Sequence, residues 1–249
     1  MREPGRSGGF WNRLKNGGMP SALASMRGGE AAQQTAQQMA FIRSLMREKR
    51  RPEVLHTPLS ELETVIFDLE TTGFSYQHGD EIMSFGAIKV VGEQIKEEEC
   101  FYTLVNCQVA IPENITRLTG ITEEMTSSAP SLMDGLHNFM SFVGQNVLVA
   151  HASSHDKAFL NAALWRTSKV QLTHRVLDTM MLARRLEPQR NHYTLDELLY
   201  AHEIPIRGRH HALEDAKMTA QLWVTYLREI SDCGQVDTLG DLYAYLSKT

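Results

Sequence analysis

The segment 64–73, TVIFDLETTG, constrains the fold more than any other part of the sequence. Its run of β-favouring apolar residues, VIF, predicts a strand that is buried on both faces. Because side chains alternate along a strand, Asp68 and Glu70 point the same way, about 7 Å apart along it. Two neighbouring carboxylates at the end of a buried strand repel each other and lose hydration, a cost that a bound cation would offset. On its own, the pair favours the simpler reading of an acidic strand end that faces solvent, and the rest of the chain decides between the two.

Charge is distributed unevenly along the chain. The net charge is −5, but residues 1–60 carry ten Lys or Arg against four Asp or Glu, whereas residues 61–249 carry fifteen against twenty-six. A basic N-terminal arm therefore precedes an acidic body. An acidic body suits a metal site built from carboxylates and argues against a broad basic surface for nucleic acid.

Cysteine content and hydropathy argue against several classes of protein. The three cysteines lack C-x-x-C spacing, which argues against a disulfide framework and against a zinc site. The N-terminal segment lacks the apolar core of a signal peptide, and no run approaches the roughly 18 apolar residues of a membrane-spanning helix. We therefore expect a cytoplasmic protein without a membrane partner.

Hydrophobic periodicity divides the chain into three regions. Residues 1–60 form the basic arm, which is predicted to be irregular up to residue 30 and helical over 30–51. Residues 61–230 form the body, in which an antiparallel hairpin follows the first strand and strands then alternate with helices. Residues 231–249 form a tail with one short helix. The pattern predicts a mixed α/β sheet covered by helices.

Two more aspartates, Asp156 and Asp215, stand near the starts of predicted helices. Asp156 follows the buried strand NVLVA, so it lies at the carboxyl edge of the sheet, where α/β sites usually form. Asp215 lies in HHALEDAKMTA, whose alanines let the helix pack closely against a neighbour. Each aspartate also suits a helix start for electrostatic reasons alone, because its charge interacts favourably with the helix dipole.

His210, five residues before Asp215, is a candidate general base in a glycine-containing loop. An imidazole takes up and releases a proton near neutral pH, as a general base requires. His211 is the rival, because its spacing of four to Asp215 would place it on the helix face instead. An exposed loop histidine without a role also fits the pattern.

Together, the carboxylates form a set of hard oxygen ligands that suits Mg²⁺ or Mn²⁺: Asp68, Glu70, Asp156 and Asp215. Two such ions about 4 Å apart stabilise the attacking and leaving oxygens of a phosphoryl displacement. In that scheme Asp68 bridges both ions and His210 deprotonates the attacking water.

Three segments, in this order, resemble the exonuclease motifs of the DEDD superfamily, histidine subtype. They are Asp68-x-Glu70 on a strand, Asp156 in an H-x4-D-x-x-F-L context, and His210-x4-Asp215 at a helix start. This family includes the proofreading subunit of bacterial replicative DNA polymerase and the exonuclease domain of the Gram-positive enzyme. The resemblance extends from about residue 65 to residue 227, so it covers the body.

The resemblance implies an RNase H-like fold, with a mixed five-stranded sheet flanked by helices, preceded here by the N-terminal helical arm. It also implies 3′→5′ exonucleolysis that releases nucleoside 5′-monophosphates, with two Mg²⁺ or Mn²⁺ held by the four carboxylates and His210 as the base. It assigns contacts with the substrate strand to six residues: Leu69, Thr71, Thr72, Thr119, Gly120 and His155.

One corner departs from the family pattern. Family members often read HNASFD before the second motif's aspartate, and this chain reads HASSHD, with Ala152 for the usual asparagine and His155 for the usual phenylalanine. Contacts with substrate are therefore open in this corner, and His155 is expected either to contact phosphate or to fill an aromatic slot.

The expected substrate is a single-stranded or frayed DNA 3′ end. Trimming of short RNA is the alternative, because the sequence offers no residue that clearly senses a 2′-hydroxyl. A third reading is a polymerase-associated proofreading subunit that acts in trans, with the arm or the tail contacting a DNA polymerase or another replication or repair protein.

Overall fold

The computed structural model describes residues 22–48, 52–232, 234 and 236–247, and it forms two units, residues 1–37 and 38–249. The described part of the first unit is the beginning of helix α1 (Ala22–Arg47), whose remainder belongs to the second unit. The predicted irregular stretch is therefore wrong for residues 22–30. Helix-favouring Ala and Gln residues follow the Gly28-Gly29 pair and outweigh its low propensity. The prediction for residues 1–21 lies outside the described residues.

The second unit is built on one five-stranded sheet in the order β3-β2-β1-β4-β5. The first three strands pair antiparallel, whereas β4 and β5 run parallel to β1, so the predicted mixed sheet is confirmed. The strands are β1 (Glu63–Thr71), β2 (Ile82–Val91), β3 (Gln94–Leu104), β4 (Val147–Ala150) and β5 (Val176–Asp178).

Helices cover the sheet and connect its parallel strands. They are α2 (Glu113–Thr119), α3 (Glu123–Ser127), α4 (Leu132–Val143), α5 (Ser154–Ser168), α6 (Thr179–Leu186), α7 (Leu195–Ala201), α8 (Ala212–Asp232) and α9 (Leu239–Ser247). Sequence patterning misses α3, because a helix of five residues is too short to show a period. The capping box predicted at the start of α7, between Thr194 and Glu197, is present.

Both faces of the sheet are buried, and β1 contributes to both. Ile66 packs in a cluster with Trp223 of α8, whereas its neighbour Phe67 packs in a second cluster with Phe139 of α4. All four strand and helix side chains at these positions are nearly inaccessible to solvent. This double burial explains why β1 reads as a continuous apolar run, as expected of a strand between two helical layers.

The C-terminal helix α9 is part of the same core. Leu239 and Leu242 are fully buried in the cluster that contains Trp223. Just before α9, the amide of Leu59 donates to the carbonyl of Asp237 at 2.8 Å, and the amide of Leu239 donates to Thr57 at 3.1 Å. The buried face of α9 is thus occupied by the body itself. Among the described helices, none is both long and apolar enough to cross a membrane.

Candidate active site

Two carboxylates lie inside β1 rather than after it. The strand continues to Thr71 because β2 stays paired with it through Glu70 and Ser84, and the register shifts only at the next residue. Glu70 is buried with 8% of its surface exposed, and Asp68 is partly buried. The alternation predicted for this pair therefore directs both side chains to one face of the sheet.

Helix α8 brings a third carboxylate, Asp215, to the same face. Gly86 of β2 lies opposite Asp68, and a Cβ on Gly86 would lie 2.1 Å from the carbonyl carbon of Ala212. Since no side chain could fit there, this glycine lets the start of α8 press against the sheet. One carboxylate oxygen each from Asp68, Glu70 and Asp215 then lies within 4.8 Å of the others.

Asp156 approaches from the opposite helix. It lies in the first turn of α5 with only 5% of its surface exposed, and its Oδ1 accepts a hydrogen bond of 3.2 Å from the amide of Leu69. Asp156 thus lies against β1 at Leu69, the residue between Asp68 and Glu70. It is not one of the three carboxylates whose oxygens lie within 4.8 Å of one another.

Burial makes this cluster electrostatically costly. It raises the pKa of Glu70 to about 8 and that of Asp156 to about 7. Burial, followed by repulsion from Asp156 and Glu70, also raises the pKa of Asp68 well above its ordinary value. The pKa of Asp215 is raised by burial too, although Arg209 opposes the shift. Each shift favours the neutral acid, so full ionisation at neutral pH calls for added positive charge.

One oxygen of Asp215 has partners and the other has none. Oδ2 pairs with the guanidinium of Arg209 and accepts a hydrogen bond of 3.0 Å from the amide of His210. Oδ1 is buried without a hydrogen-bond partner among the described residues. An orphaned carboxylate oxygen within a group of three acids is what a divalent cation would satisfy, so these residues fit such an ion.

The loop before α8 distinguishes the two histidine candidates. His210 lies in the left-handed region at φ 62°, its amide donates to Asp215, and the residue lines the same cleft as the acids. The ring of His211 instead stacks on Tyr102 of β3, with centroids 4.4 Å apart. The structure therefore brings His210, and not His211, to the cleft.

Three of the four acids, Asp68, Glu70 and Asp215, line a cleft of about 570 Å³, a size typical of ligand sites. Asp156 is not among its lining residues. We call Asp68, Glu70 and Asp215 the carboxylate wall. Of the six residues that the family resemblance assigned to substrate, four line the cleft: Leu69, Thr71, Thr119 and His155.

The structure does not place Thr72 and Gly120 among the residues that line this cleft. The Thr72 hydroxyl is buried and accepts a hydrogen bond of 3.0 Å from the amide of Glu81, so it holds the turn after β1. Gly120 terminates α2 in the left-handed conformation, φ 73°, which explains a glycine there without any ligand.

His155 fills an aromatic slot. Its ring lies 4.7 Å from that of Phe159 and 5.7 Å from that of Phe74, and its Nε2 is 3.3 Å from the hydroxyl of Thr71. Phe74 is 80% exposed at the cleft rim. The geometry agrees with an aromatic role for His155 in place of the usual phenylalanine.

A second group of residues at the cleft is held by hydrogen bonds that the sequence does not reveal. We call His151, Asp178, Arg184 and Tyr193 the α6 wall; all but Asp178 line the cleft. His151 Nε2 donates to the carbonyl of Tyr193 at 3.0 Å, and its Nδ1 lies 2.9 Å from the hydroxyl of Thr179. Burial lowers the pKa of His151, which favours this neutral, pinned form.

Asp178 fixes the turn that leads into α5. Its carboxylate accepts hydrogen bonds from the amides of Ala152 at 3.0 Å and Ser153 at 2.8 Å, and it also caps α6 through the amide of Met180 at 2.8 Å. The sequence shows only the last of these roles, as an aspartate at a helix start. In the sequence, Arg209 is likewise only a cation in the loop beside His210.

With this geometry established, comparison with known proteins identifies the family. The sequence pattern that defines the exonuclease family (RNase_T) matches residues 65–223, well over half of the chain. The chain belongs to the exonuclease family. This exonuclease resembles the proofreading domain of bacterial DNA polymerase III, and its three motifs resemble, in order, those of the DEDD type.

Two curated relatives connect the exonuclease to replicative polymerases. It is 38% identical over 184 residues to "DNA polymerase III PolC-type" of Clostridium perfringens, a match that covers 73% of this chain but only 12% of the relative. It is 35% identical over 166 residues to "DNA polymerase III subunit epsilon" of Aquifex aeolicus, covering 67% of this chain and 81% of that subunit. The chain therefore spans about an eighth of the length of the PolC-type relative and most of the epsilon subunit.

A solved structure confirms the fold. The nuclease domain of 3′hExo, described as a DEDDh family member bound to rAMP, superposes with a TM-score of 0.60 at 18% identity. The match covers 70% of this chain and 95% of that domain. The predicted RNase H-like fold, a mixed sheet flanked by helices, is thereby confirmed.

Proposed function

We propose that this exonuclease removes nucleotides from single-stranded or frayed DNA 3′ ends, releasing nucleoside 5′-monophosphates with two bound divalent cations, Mg²⁺ or Mn²⁺. The observation that carries the proposal is the carboxylate wall, where three acids converge within 4.8 Å and one buried oxygen has no partner among the described residues. Convergent carboxylates of this kind in a cleft are costly unless cations neutralise them.

The ligand set in this proposal is Asp68, Glu70 and Asp215, joined by Asp156 from α5. Asp156 accepts a hydrogen bond from the amide of Leu69, and its charge helps to raise the pKa of Asp68, which supports its place beside the three other acids. When bound, the cations stabilise the charge on the attacking and leaving oxygens of the phosphodiester. The chain contributes the spacing of these ligands through β1, α5 and α8.

His210 is the proposed general base. His210 lines the same cleft as the carboxylate wall, and its backbone is fixed by the hydrogen bond from its amide to Asp215. A ring nitrogen held there can accept a proton from a water that attacks the terminal phosphodiester. The left-handed backbone conformation of His210, with φ at 62°, helps to set the orientation of the residue.

Contacts with the 3′-terminal nucleotide are proposed for the four predicted residues that line the cleft. Leu69 and Thr71 follow the strand carboxylates, and Thr119 and His155 face them from α2 and α5. A terminal phosphodiester reaches acids at the base of such a cleft only when its last base has left the duplex stack. The proposal therefore favours single-stranded or frayed ends.

The test is a time course on a 5′-labelled oligonucleotide with Mg²⁺, comparing the wild type with Asp68→Asn. Loss of a central cation ligand is expected to lower the rate by about 10³-fold or more, since metal ions supply several kcal/mol of transition-state stabilisation. Asp241→Asn, on α9 outside the cleft, is the matched control and should retain the full rate. An Asp68→Asn variant that cleaves as fast as wild type would refute the metal site.

The DNA preference is supported by the relatives, whose names are those of DNA polymerase subunits. The structural neighbour bound to rAMP keeps an exoribonuclease open as the alternative. Oligonucleotides of one sequence, made as DNA and as RNA, distinguish the two. A higher kcat/KM on RNA would replace the DNA proposal with the alternative.

Polymerase association in trans is the remaining part of the proposal, supported by the likeness to the epsilon subunit. The buried face of α9 is occupied by the core, so the N-terminal unit, residues 1–37, is the better candidate for this contact. Sedimentation with the replicative polymerase of the source organism tests it. Equal binding by a chain that begins at residue 38 would show that residues 1–37 do not mediate the contact.

A further inference from the structure

A second arginine, besides Arg209, lines the cleft. Arg184 lies in the last turn of α6, with an exposed side chain, one turn after Met180, which lines the same cleft. Residues of α6 and of the segment that follows it contribute to this part of the lining. The position places a positive charge in the same cleft as the carboxylate wall.

The direction of Arg184 is set by a rigid aromatic ring. Its guanidinium carbon lies 5.6 Å from the centre of the Tyr193 ring. The hydroxyl of Tyr193 donates to the carbonyl of Glu187 at 2.8 Å, and its own carbonyl accepts from His151 at 3.0 Å. Because Tyr193 is fixed at both ends, it provides a firm surface on which the guanidinium stacks.

Arg184 has no acidic partner in the described part of the chain. Its one side-chain hydrogen bond is to Met180 Sδ at 3.8 Å, and none of the ion pairs there includes it. Arg209, the other arginine that lines the cleft, is engaged by both Asp196 and Asp215. In an acidic body, an arginine that is stacked in the cleft and keeps free N–H donors is unusual. The planar guanidinium can donate two parallel hydrogen bonds to a phosphate.

We propose that Arg184, stacked on Tyr193, binds a phosphodiester of the substrate strand upstream of the scissile bond. This subsite rests on the proposed function, because it needs a nucleic acid whose 3′ end lies at the carboxylate wall. The two walls then have different roles. The acids would hold the cations at the terminal phosphodiester, and Arg184 would bind a phosphodiester farther upstream in the same strand. Arg184 thereby favours oligonucleotides over mononucleoside esters.

The first experiment compares two substrates on the full chain. One is an oligonucleotide, and the other is the p-nitrophenyl ester of thymidine 5′-monophosphate, which has a scissile phosphodiester but no upstream phosphate. We expect Arg184→Ala to lower the ratio of kcat/KM for the oligonucleotide to that for the ester by about 10- to 100-fold, as for loss of a charge-assisted hydrogen bond. Arg184→Lys should recover part of the ratio, since the charge remains.

Arg185→Ala is the matched control. Arg185 is the next residue, but its guanidinium lies 5.1 Å from the Tyr245 ring, and it does not line the cleft. Its loss should leave the ratio unchanged. An unchanged ratio in Arg184→Ala, or an equal fall on both substrates, would overturn the subsite. Failure of the wild type to cleave either substrate would instead overturn the proposed function.

A second experiment identifies the phosphate. A single methylphosphonate, which is neutral, is placed at successive upstream linkages of the oligonucleotide. At one linkage it should slow the wild type as much as Arg184→Ala does, and it should have little further effect on that variant. Equal sensitivity of wild type and Arg184→Ala at every linkage would contradict the assignment.

Discussion

The carboxylate wall and the α6 wall both contribute to one cleft, yet they are built in opposite ways. In the carboxylate wall, burial raises the pKa of Glu70 to about 8, and an oxygen of Asp215 has no partner among the described residues. In the α6 wall, both oxygens of Asp178 are saturated by hydrogen bonds, and both nitrogens of His151 are engaged. The acids are incomplete without a ligand, whereas Asp178 and His151 are complete as folded. In the α6 wall, Arg184 alone keeps donors that are free in the described part of the chain.

The difference separates the residues that we propose bind cations from the residues that shape the cleft. A satisfied, hydrogen-bonded wall keeps one geometry and stabilises the fold. An unsatisfied acidic wall destabilises the fold and gains its stability from the cation that it binds. Four predictions probe this contrast, from the largest expected effect to the smallest.

Removal of the Asp178 carboxylate should be the most damaging change, although it lies outside the proposed ligand set. Asp178→Ala leaves the buried amides of Ala152 and Ser153 and the first turn of α6 without acceptors. The expected loss is about 4 kcal/mol in the free energy of unfolding, measured by urea titration.

Asp241→Ala provides the comparison for this variant. Asp241 caps only its own helix, through the amide and hydroxyl of Thr238, so its loss should lower the free energy of unfolding much less. If the two variants proved equally stable, Asp178 would be an ordinary helix cap and the α6 wall would not depend on it.

The pH dependence of the metal-free protein tests the other wall. The pKa values of all four acids are raised in the folded state, so between about pH 4.5 and pH 8 the folded chain binds more protons than the unfolded chain. Stability should therefore fall as pH rises through this window, by on the order of 3 kcal/mol. Melting curves in EDTA measure it.

Added Mg²⁺ should reverse that loss near pH 8, because it binds the ionised acids. Glu70→Gln should flatten the pH dependence in EDTA, since Glu70 carries one of the large shifts. Metal-free stability that rises from pH 5.5 to pH 8 would contradict the description of this wall as costly when ionised.

Arg209→Gln should separate stability from cation affinity. Arg209 offsets the charge of Asp215, so its loss should destabilise the metal-free protein by about 2 kcal/mol. It should also increase the affinity for Mn²⁺, because the guanidinium no longer competes for Asp215. Calorimetric titration with Mn²⁺ gives the affinity, and Arg207→Gln, exposed in the same loop, is the control. Weaker Mn²⁺ binding would show that Arg209 orients the ligands instead.

Ala152→Gly should give the smallest effect and the opposite sign. Ala152 has φ at 52°, a left-handed conformation that costs an alanine about 1–2 kcal/mol and glycine almost nothing. After the entropy of glycine in the unfolded chain is subtracted, about 0.5–1 kcal/mol of stabilisation should remain. Ala158→Gly, inside α5, should instead destabilise, and a loss of stability in both would refute the strain at Ala152.

The sequence predicted the parts of this site that follow from local geometry. Alternation along β1 places Asp68 and Glu70 together, and the position of Asp215 one turn into a helix gives it a defined direction. The spacing of His210 and His211 left two candidates, which only the fold separates.

What the sequence could not show depends on distant partners. Asp178 accepts from amides 25 and 26 residues earlier, and nothing near it in the chain reveals those bonds. Arg209 reads as a loop cation until Asp196 and Asp215 are seen on either side of it. Thr72 lies in the motif itself, yet its hydroxyl turns inward to the amide of Glu81.

Gly86 carries a consequence for recognising inactive relatives. At Gly86 a hydrogen stands where any other residue has a Cβ, and this sets the distance between the sheet and the start of α8, and therefore between Asp68 and Asp215. A relative with any side chain there would have to hold that helix farther out, even with every motif residue intact. Such a protein would contain every exonuclease motif and yet lack activity. The residue at position 86, where this chain has no side chain, would identify it.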